Sequence, residues 1–550
     1  MSRPVRAAPA LERSGGASTE EDEAAIVRIA AALRALIPDL ELWNDEARLE
    51  AANSATFATK ARSALVARPA TTEEVAAILR YADGERVAVY PVSRGCNFGF
   101  GSRVPARSVV ILLDLSRMDR ILEYDHGHGT LRVEPGVTFR RAAAFLSEQG
   151  DRYFLNAIGG PPEASLIGNA LERGDGAGPY CERASFVCDF EVVLADGTIV
   201  RTGFGKWEDS RLGPLSRHGA GPGMDDLFLQ SNLGVVTGMT FWLQRRPATF
   251  RLYQFQLRES AALAPAIEAF RDLLKRNVVA GPIVLWNDYK LMASGTQYPW
   301  KLDGDVVPLR RERLRSISNA YRAWIGHGGV YIDDESMSAA AARAVRRTLR
   351  RSLGRSGTVS SLSSRRIRWL SLLSRLPWRR LDHRPLIAQW HSSPALGSVS
   401  NFGARTMYWR KRRPPPDEPD PVADRCGVLS NCFELPLEGA VIAEFIGRLE
   451  ATLLRHGYEP MLSLTLINDR YAKCFQQLMY DREIAGEDAK ARACHVELFA
   501  LIEDSGFTHS RVDILHMEDM RRRARSTALR DRIARSLDPN GILAPGRYEF

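Results

Sequence analysis

The stretch PVSRGCNFGFGS, residues 91–102, follows an apolar run typical of a β-strand and contains three glycines, Gly95, Gly99 and Gly101. Glycine adopts positive φ angles without steric cost, so such a loop can turn consecutive backbone N–H groups toward an anion, for example a pyrophosphate. The spacing matches neither the GxGxxG that opens a helix in nicotinamide-binding domains nor the GK[ST] of a P-loop. Taken alone, the stretch predicts either an anion-binding loop or an ordinary hairpin turn.

Three further glycine-rich stretches follow along the chain. They are SLIGNALERGDGAGPY (165–180), DDLFLQSNLGVVTGMTFWL (225–243) and DPNGILAPGRY (538–548). Each one is ordinary turn chemistry when considered by itself. The combination of all four stretches, in this order and at this spacing, is far more specific than any one of them.

The composition is that of a globular protein with several domains. The chain has 550 residues, which predicts two to four domains at about 150 residues each. Its hydrophobic (45%) and charged (26%) fractions exclude a wholly disordered chain, a collagen or a coiled coil. The sequence contains no uncharged apolar run long enough to predict a membrane-spanning helix, and the first residues contain no apolar signal segment. We therefore expect a soluble, cytoplasmic protein with no membrane partner.

Charge and cysteine content carry less information. The net charge of +9 includes a dense arginine run at 343–357, which is compatible with nucleic-acid binding, although a solvated helix face is the simpler interpretation. The seven cysteines include no CxxC pair and predict reduced thiols and no metal site.

The pattern along the chain predicts two main domains. After a mobile tail (1–22), helices, strands and glycine loops alternate, which indicates an α+β domain over 23–245. The following 246–505 contain βαβ-like units and predict a distinct domain laid against the first, while 506–550 close the fold. Within the second domain, 355–425 are expected to be irregular, with SGTVSSLSSRR and RKRRPPPDEPDP as loops.

Several segments of the sequence together resemble those of a known family. The segments VSRGCNFGFGS, LDLSRM, VEPGVTF, GNALERG, EVVLADGTIVRTG, QSNLGVVTGMTFWL and DPNGILAPGRY are similar to those of the vanillyl-alcohol oxidase and p-cresol methylhydroxylase family of FAD-linked oxidases, its 4-cresol dehydrogenase (hydroxylating) branch above all. The resemblance implies an α+β fold in which a two-part, PCMH-type FAD-binding domain carries a ferredoxin-like cap over the flavin ring. It also implies an FAD-dependent oxidase or dehydrogenase that commonly forms homodimers or larger homo-oligomers.

The same resemblance implies which residues bind FAD. The first glycine loop would hold the pyrophosphate, two later stretches would contact the cofactor, and Arg547 of the tail would stabilise the negative charge of the reduced flavin. These residues are Ser93, Arg94, Gly95, Cys96, Asn97, Phe98, Gly99, Gly168, Asn169, Arg173, Gly174, Tyr180, Gly234, Val235 and Arg547.

The substrate side departs from the family pattern. Family members that act on para-alkylphenols bind the phenolate with two tyrosines and an arginine. The corresponding residues here are Phe100, Ser510 and Arg511, so only the arginine is retained. Arg511 can hold an anionic oxygen in a bidentate manner. Gln477 and Tyr480, on a strand expected to face the flavin, are further pocket candidates.

The resemblance leaves the flavin linkage open. The cresol branch attaches FAD to a tyrosine, which points to Tyr408, whereas the alcohol-oxidase branch uses a histidine near the position of Cys474. Noncovalent FAD fits the sequence equally well.

The function implied is hydride abstraction from an activated, benzylic or phenol-like carbon. The products would arise by hydroxylation, alcohol oxidation or desaturation of a small aromatic substrate, in a setting of secondary metabolism. The electrons would pass to oxygen or to a cytochrome-type protein, and the flavin would supply the redox chemistry. One alternative is an FAD-linked oxidase of a sugar, lactone or hydroxy acid. A second is a flavin-less binding protein whose basic surface contacts nucleic acid, but the intact glycine stretches favour an enzyme without a nucleic-acid partner.

Overall fold

The structure is a computed structural model that describes residues 20–303, 306–317, 322–373, 387, 390 and 393–550. Helices and sheets are mixed throughout, as the α+β prediction requires. Most of the tail predicted at 1–22 lies outside the described residues, and residues 20–22 already belong to a helix. No helix in the described part of the chain is both long and apolar enough to cross a membrane.

The N-terminal domain is built on two sheets. Its elements are α1 (Glu20–Leu36), β1 (Glu41–Trp43), α2 (Glu46–Ala52), β2 (Ser63–Arg68), α3 (Thr72–Glu85), β3 (Val89–Val92), β4 (Val109–Asp114), β5 (Ile121–Asp125), β6 (Thr130–Val133), α4 (Phe139–Glu148), β7 (Tyr153–Phe154), α5 (Leu166–Leu171), β8 (Val187–Val193), β9 (Ile199–Arg201), β10 (Val235–Trp242) and β11 (Gln244–Arg245). One sheet has the order β1-β2-β4-β3, with β2, β4 and β3 parallel, and the other is antiparallel with the order β5-β6-β10-β8-β9. The first glycine loop connects β3 to β4.

The C-terminal tail supports the strand that leads into this loop. Leu543 forms a parallel bridge with Val89 of β3, and the amide of Ala544 donates to the Val89 carbonyl at 2.8 Å. The side chain of Asn232, in the third glycine stretch, donates to the Leu543 carbonyl at 3.0 Å. Chain segments far apart in sequence therefore meet beside the glycine loop.

The second domain is one eight-stranded antiparallel sheet, and its four longest described helices cover one face. Its elements are β12 (Phe250–Leu257), α6 (Leu263–Lys275), β13 (Ile283–Asn287), α7 (Asp288–Gly295), α8 (Trp300–Asp303), α9 (Arg311–Ile317), β14 (Trp324–Tyr331), α10 (Glu335–Leu353), β15 (Gly357–Ser363), α11 (Ser364–Leu373), α12 (Phe402–Thr406), β16 (Cys426–Pro436), α13 (Gly439–Arg455), β17 (Met461–Leu466), β18 (Tyr471–Asp481), α14 (Glu487–Asp504) and β19 (Thr508–Arg511), after which α15 (Met517–Arg523) and α16 (Ala528–Leu537) lead to the tail.

The strand order of this sheet contains a duplication. The order is β15-β12-β14-β13-β17-β18-β16-β19, so each half is a β-α-β-β-α-β unit of ferredoxin-like type, joined through the pairing of β13 with β17. The predicted ferredoxin-like cap is thus built from two such units, although no sequence repeat reveals them.

Two details of the cap differ from the sequence prediction. Residues Gly357–Ser363, expected to be a loop, form the edge strand β15 paired with β12. Residues Thr508–Arg511, expected beyond the end of the cap, form the opposite edge strand β19. Edge strands tolerate polar and flexible residues because one side of each is open, which hides them from a pattern-based prediction.

Candidate active site

The first glycine loop has the backbone of an anion-binding turn. Gly95 and Gly99 adopt positive φ angles of 68° and 78°. The amides of residues 94–98 find no hydrogen-bond acceptor among the described residues. A row of free N–H groups of this kind forms a concavity suited to phosphate oxygens.

Thr56 and the cap strand β16 hold the second half of this loop from two sides. The Gly99 amide donates to Oγ1 of Thr56 at 3.0 Å, and the Gly99 carbonyl accepts from the amide of Ser430 in β16 at 3.2 Å. A Cβ atom added to Gly99 would lie 2.2 Å from Oγ of Ser430. The glycine is therefore required by both its backbone conformation and the close approach of β16.

The second glycine stretch packs directly on the first. A Cβ atom on Gly168 would lie 2.6 Å from Oγ of Ser93, so these two predicted cofactor segments touch. The side chain of Asn169 accepts from Nε of Arg183 at 2.8 Å, and Tyr180 stacks on Phe186 with ring centroids 4.0 Å apart. These contacts hold the side chains of Asn169 and Tyr180 in place, and their contact with FAD stays a prediction.

The other cofactor candidates fall into the same region in different ways. Gly234 and Val235 begin β10 inside the core, where a Cβ on Gly234 would lie 2.5 Å from Val192. Arg173 and Gly174 form the turn after α5, with Arg173 at a positive φ of 48°. From the third stretch, Nε2 of Gln230 donates to the Ser510 carbonyl at 2.7 Å, and contact of Gly234 and Val235 with FAD stays a prediction.

Arg547 is buried and paired. Its Nη2 donates to Glu172 at 2.6 Å, and the hydroxyl of Tyr548 donates to the other carboxylate oxygen at 2.7 Å. Burial opposes ionisation of Glu172, yet Arg547 and Arg511 hold the pKa of Glu172 below its usual range. The charge of Arg547 is therefore already paired with that of Glu172.

The alternation of β18 divides the predicted pocket residues between two faces. Lys473, Phe475 and Gln477 point toward the N-terminal domain, since Nζ of Lys473 lies 2.9 Å from Asp175 and Phe475 packs against Phe100. Tyr480 points to the helix-covered face, where its hydroxyl donates to Asp488 in α14 at 2.7 Å. The expectation that Gln477 and Tyr480 line one pocket conflicts with this alternation, and only Gln477 faces the site.

A β-bulge aims Arg511 into the site. Ser510 and Arg511 together oppose Cys432 of β16, and the bulge turns both toward the N-terminal domain. The Arg511 guanidinium lies 4.4 Å from the ring centroid of Phe100 and donates to Oδ1 of Asn97 at 2.8 Å. Its Nε is buried and has no partner among the described residues. The hydroxyl of Ser510 lies 3.6 Å from the Cys432 sulfur.

A buried ion cluster lies beside the site, and no sequence pattern predicted it. Nζ of Lys473 lies 2.9 Å from Asp175 and 3.2 Å from Glu182, and Tyr471 donates to Glu182 at 2.6 Å. Burial raises the pKa of Asp175 even though Lys473 opposes the shift. The partners lie almost 300 residues apart along the chain, so no local pattern could have joined them.

Comparison with known proteins identifies the family. Residues 63–203 match the model of an FAD binding domain. The chain is 36% identical to 1'-carboxy-chondrochloren decarboxylase of Chondromyces crocatus, over 95% of this chain and 97% of that protein. The chain belongs to the vanillyl-alcohol oxidase and p-cresol methylhydroxylase family.

Two further similarities agree with this membership. The chain is 25% identical to the 4-cresol dehydrogenase (hydroxylating) flavoprotein subunit of Pseudomonas putida, over 87% of this chain and 86% of that protein. Its fold matches that of 4-ethylphenol oxidase from Gulosibacter chungangensis, solved as an isoeugenol complex, with a TM-score of 0.84 at 22% identity over 97% of this chain and 98% of that one. The predicted fold, family and FAD cofactor are thereby confirmed, and the protein is an FAD-dependent oxidoreductase.

The residues present fit FAD. The free amides of residues 94–98 suit the pyrophosphate of this family's cofactor, and Gly168 brings the second stretch against them. The buried hydroxyl oxygen of Ser430, beside Gly99, has no hydrogen-bond partner in the described part of the chain. Bound FAD would supply the redox chemistry, and the protein supplies position and charge.

The two candidates for covalent flavin attachment are placed very differently. Tyr408 is buried beside Phe98 of the glycine loop, and its hydroxyl donates to Asp424. Cys474 lies on the helix-covered face of β18 within the cap core, where burial raises its thiol pKa well above the usual value. The cap sheet therefore separates Cys474 from the glycine loop, and Tyr408 is the better placed of the two.

A buried histidine network supports the segment that carries Arg511. Asp513, two residues further on, accepts from Nε2 of His495 at 3.0 Å and from Nδ1 of His516 at 2.9 Å. Burial opposes both charges, yet the two histidines hold the pKa of Asp513 well below its usual range, and Asp513 raises the pKa of His516. These three groups satisfy one another, which assigns them to structure instead of metal binding.

We expect Asp513→Asn to destabilise the protein by about 3 kcal/mol, because removing one partner leaves a buried charge uncompensated. Because the pKa of Asp513 is lowered, its ionised form stabilises the fold fully above about pH 4. Because the pKa of His516 is raised, its protonated form stabilises the fold fully below about pH 6.5, and this stability is lost as pH rises through the raised pKa of His516. The melting-temperature difference from wild type should therefore be largest between these pH values.

The matched control is Glu497→Gln, which breaks the exposed pair that His456 makes with Glu497 at 2.7 Å. Exposed pairs contribute little, so its melting temperature should follow wild type. Equal melting temperatures for Asp513→Asn and wild type across the whole pH range would rule out this account of the network.

Proposed function

We propose that the enzyme performs an FAD-dependent oxidative decarboxylation. The substrate is a small aromatic acid in which a benzylic carbon, activated by a para-hydroxyl group, neighbours the carbon bearing the carboxylate. Support comes from the relative named as a decarboxylase, which is 36% identical over nearly the whole chain. Support for the phenolic ring comes from the 4-cresol and 4-ethylphenol enzymes that the chain resembles.

The proposed reaction is a two-electron oxidation coupled to the loss of CO2. Hydride leaves the benzylic carbon with both electrons of the C–H bond, which oxidises the substrate phenolate to a quinone methide. The bond to the carboxylate then breaks, CO2 departs, and the bonding electron pair forms a carbon–carbon double bond. The same shift restores the aromatic phenolate. The substrate loses one hydride and one CO2, and bound FAD would take up the two electrons.

The observation that carries this proposal is the setting of Arg511. Its guanidinium lies over the ring of Phe100 and offers a buried Nε that no described residue accepts from. A cation in this setting stabilises a phenolate oxygen, and the ionised oxygen supplies the electron density that drives hydride loss. The rings of Phe100 and Phe475 pack against each other, with centroids 6.1 Å apart, and offer an aromatic substrate an apolar surface beside Arg511.

Phe100 and Ser510 give this site fewer phenolate contacts than the family pattern has. Phe100 has no donor, and the short side chain of Ser510 is directed to Cys432. Arg511 therefore carries most of the phenolate recognition. The passage of electrons to oxygen or to a cytochrome-type protein, and assembly into dimers or larger oligomers, remain predictions from the resemblance.

A second candidate is hydride abstraction without loss of CO2, giving hydroxylation or desaturation of a para-alkylphenol. The specific observation in its favour is the similarity to 4-cresol dehydrogenase over 87% of the chain. The apolar rings of Phe100 and Phe475 disfavour the alternative of a sugar or lactone substrate.

Product analysis separates these functions. The purified holoenzyme is incubated aerobically, or with an artificial electron acceptor, with 3-(4-hydroxyphenyl)propanoate and, in parallel, with 4-ethylphenol. We expect the acid to give 4-vinylphenol and CO2. A product of the acid that retains its carboxylate would refute decarboxylation, and turnover of gluconolactone or lactate with neither phenol accepted would refute the phenolic substrate class.

A further inference from the structure

Lys290 is a half-buried lysine that has no carboxylate partner among the described residues. It lies in α7, directly after β13, and its ammonium group donates a hydrogen bond to Oε1 of Gln477. None of the described residues offers it an acidic side chain, and burial lowers the pKa of Lys290 to about 8. An ammonium group has three donors, so two of them are free for a ligand.

Two fully buried lysines of the cap, Lys411 and Lys473, are neutralised by neighbouring carboxylates. Lys411 donates to Asp481 and to Glu483, each at 2.7 Å, and Lys473 lies between Asp175 and Glu182. A buried charge is costly unless it is paired, and these two lysines follow that rule. Lys290 departs from the rule, because its contact is an uncharged amide oxygen.

Gln477 places this ammonium group at the proposed substrate site. Gln477 shares the open face of β18 with Phe475, and its cross-strand partner is Ser430 of β16. Ser430 contacts Gly99 of the glycine loop, and its buried hydroxyl oxygen has no partner within the described residues. Two unsatisfied polar groups, the Lys290 ammonium and the Ser430 hydroxyl, therefore flank Gln477.

The site then holds two cations separated by aromatic rings. Arg511 lies over Phe100, Phe100 packs against Phe475, and Gln477 follows two residues later on the same face. An elongated ligand with an anionic oxygen at each end and an aromatic ring between them matches this arrangement. Such a ligand is a phenol that also carries a carboxylate.

We infer that Lys290, oriented by Gln477, binds an anionic oxygen of the substrate, and we assign this oxygen to the carboxylate. This inference rests on the proposed decarboxylation, since it names the group that holds the departing carboxylate before reaction. The other source of the same chemistry is the phenolate. Because Lys290 contacts the carboxylate in the ground state, its loss should weaken binding more than it slows the bound complex.

The test measures ligand binding to the holoenzyme from the perturbation of its flavin absorbance. The variants are Lys290→Met, which keeps the length of the side chain without its charge, and Lys290→Arg, which restores a cation. The matched control is Lys275→Met, because Lys275 is an exposed lysine of the same cap domain. The two probes are 3-(4-hydroxyphenyl)propanoate and 4-ethylphenol, which differ by the carboxylate.

We expect Lys290→Met to weaken binding of the acid on the order of 30-fold and to leave 4-ethylphenol binding within about twofold of wild type. Lys290→Arg should recover most of the loss, and Lys275→Met should match wild type. Equal weakening of both probes would assign Lys290 to the phenolate and overturn the carboxylate assignment. Unchanged binding of both probes, or loss of FAD from Lys290→Met, would overturn the inference altogether.

These outcomes are distinct from those of the proposed function. If wild-type enzyme binds the acid without releasing CO2, the decarboxylation fails, while the dissociation constants still decide whether Lys290 binds the carboxylate. If wild-type enzyme binds neither probe, both the proposed substrate class and the role of Lys290 are contradicted.

Discussion

Gly99→Ala is expected to yield a colourless protein that binds FAD at least 100-fold more weakly than wild type. The new Cβ would lie 2.2 Å from Oγ and 2.8 Å from Cβ of Ser430, and the φ angle of 78° is strained for alanine. Strain and displacement together cost about 3 kcal/mol, which corresponds to this loss of affinity. The loop must shift, and its free amides then point away from the pyrophosphate. Flavin absorbance per protein, with and without added FAD, measures the effect.

Two variants separate this cause from general damage. Gly221→Ala places alanine at a similar φ angle of 85° where nothing lies within 4 Å, and it should keep its FAD. The double variant Gly99→Ala, Ser430→Gly removes the colliding side chain and should regain part of the affinity. A yellow Gly99→Ala protein with wild-type affinity would show that this loop does not hold the cofactor.

Arg511→Met is expected to lower kcat/KM for 3-(4-hydroxyphenyl)propanoate about 1,000-fold with the FAD content unchanged. A preorganised cation at developing or ionised oxygen contributes about 3 to 4 kcal/mol inside a site, and each 1.4 kcal/mol is about tenfold in rate. The flavin remains because Arg511 donates to the side chain of Asn97 and leaves the loop amides free. Steady-state kinetics together with the flavin spectrum make the measurement.

Two controls accompany this variant: one keeps a positive charge at position 511, and the other removes an exposed arginine nearby. Arg511→Lys keeps a cation but loses the planar fork, so an intermediate loss of about tenfold is expected. Arg522→Met changes an exposed arginine of the same segment, 71% exposed, and should leave turnover unchanged. Wild-type turnover by Arg511→Met would remove Arg511 from the reaction.

The cofactor half of the site was accessible from the sequence. Gly95 and Gly99 are informative because positive φ angles restrict the residue type, so the backbone requirement is written in the sequence itself. The resemblance also pointed to Arg511, which lies beside the glycine loop through its hydrogen bond to Asn97, although its strand was expected outside the cap. The resemblance implied the ferredoxin-like cap, in agreement with the βαβ pattern. Arg547 was predicted near the flavin, but its pairing with Glu172 was not.

The substrate half was not accessible for a physical reason. Both faces of β18 are buried, so polar and apolar residues do not alternate, and the sequence alone could not show that Gln477 faces the site while Tyr480 and Cys474 face the helices. Lys290 looks like any helical lysine until α7 packs beside β18. Contacts of this kind arise only from tertiary packing.

The most direct test of the central claim is a single turnover under anaerobic conditions with 3-(4-hydroxyphenyl)propanoate. Flavin bleaching and released CO2 are measured on the same sample. Our account predicts that the yellow band bleaches and that one CO2 appears for each flavin reduced. Bleaching without CO2 would contradict the decarboxylation, and an unbleached flavin in an enzyme shown to bind the acid would contradict hydride transfer from this substrate.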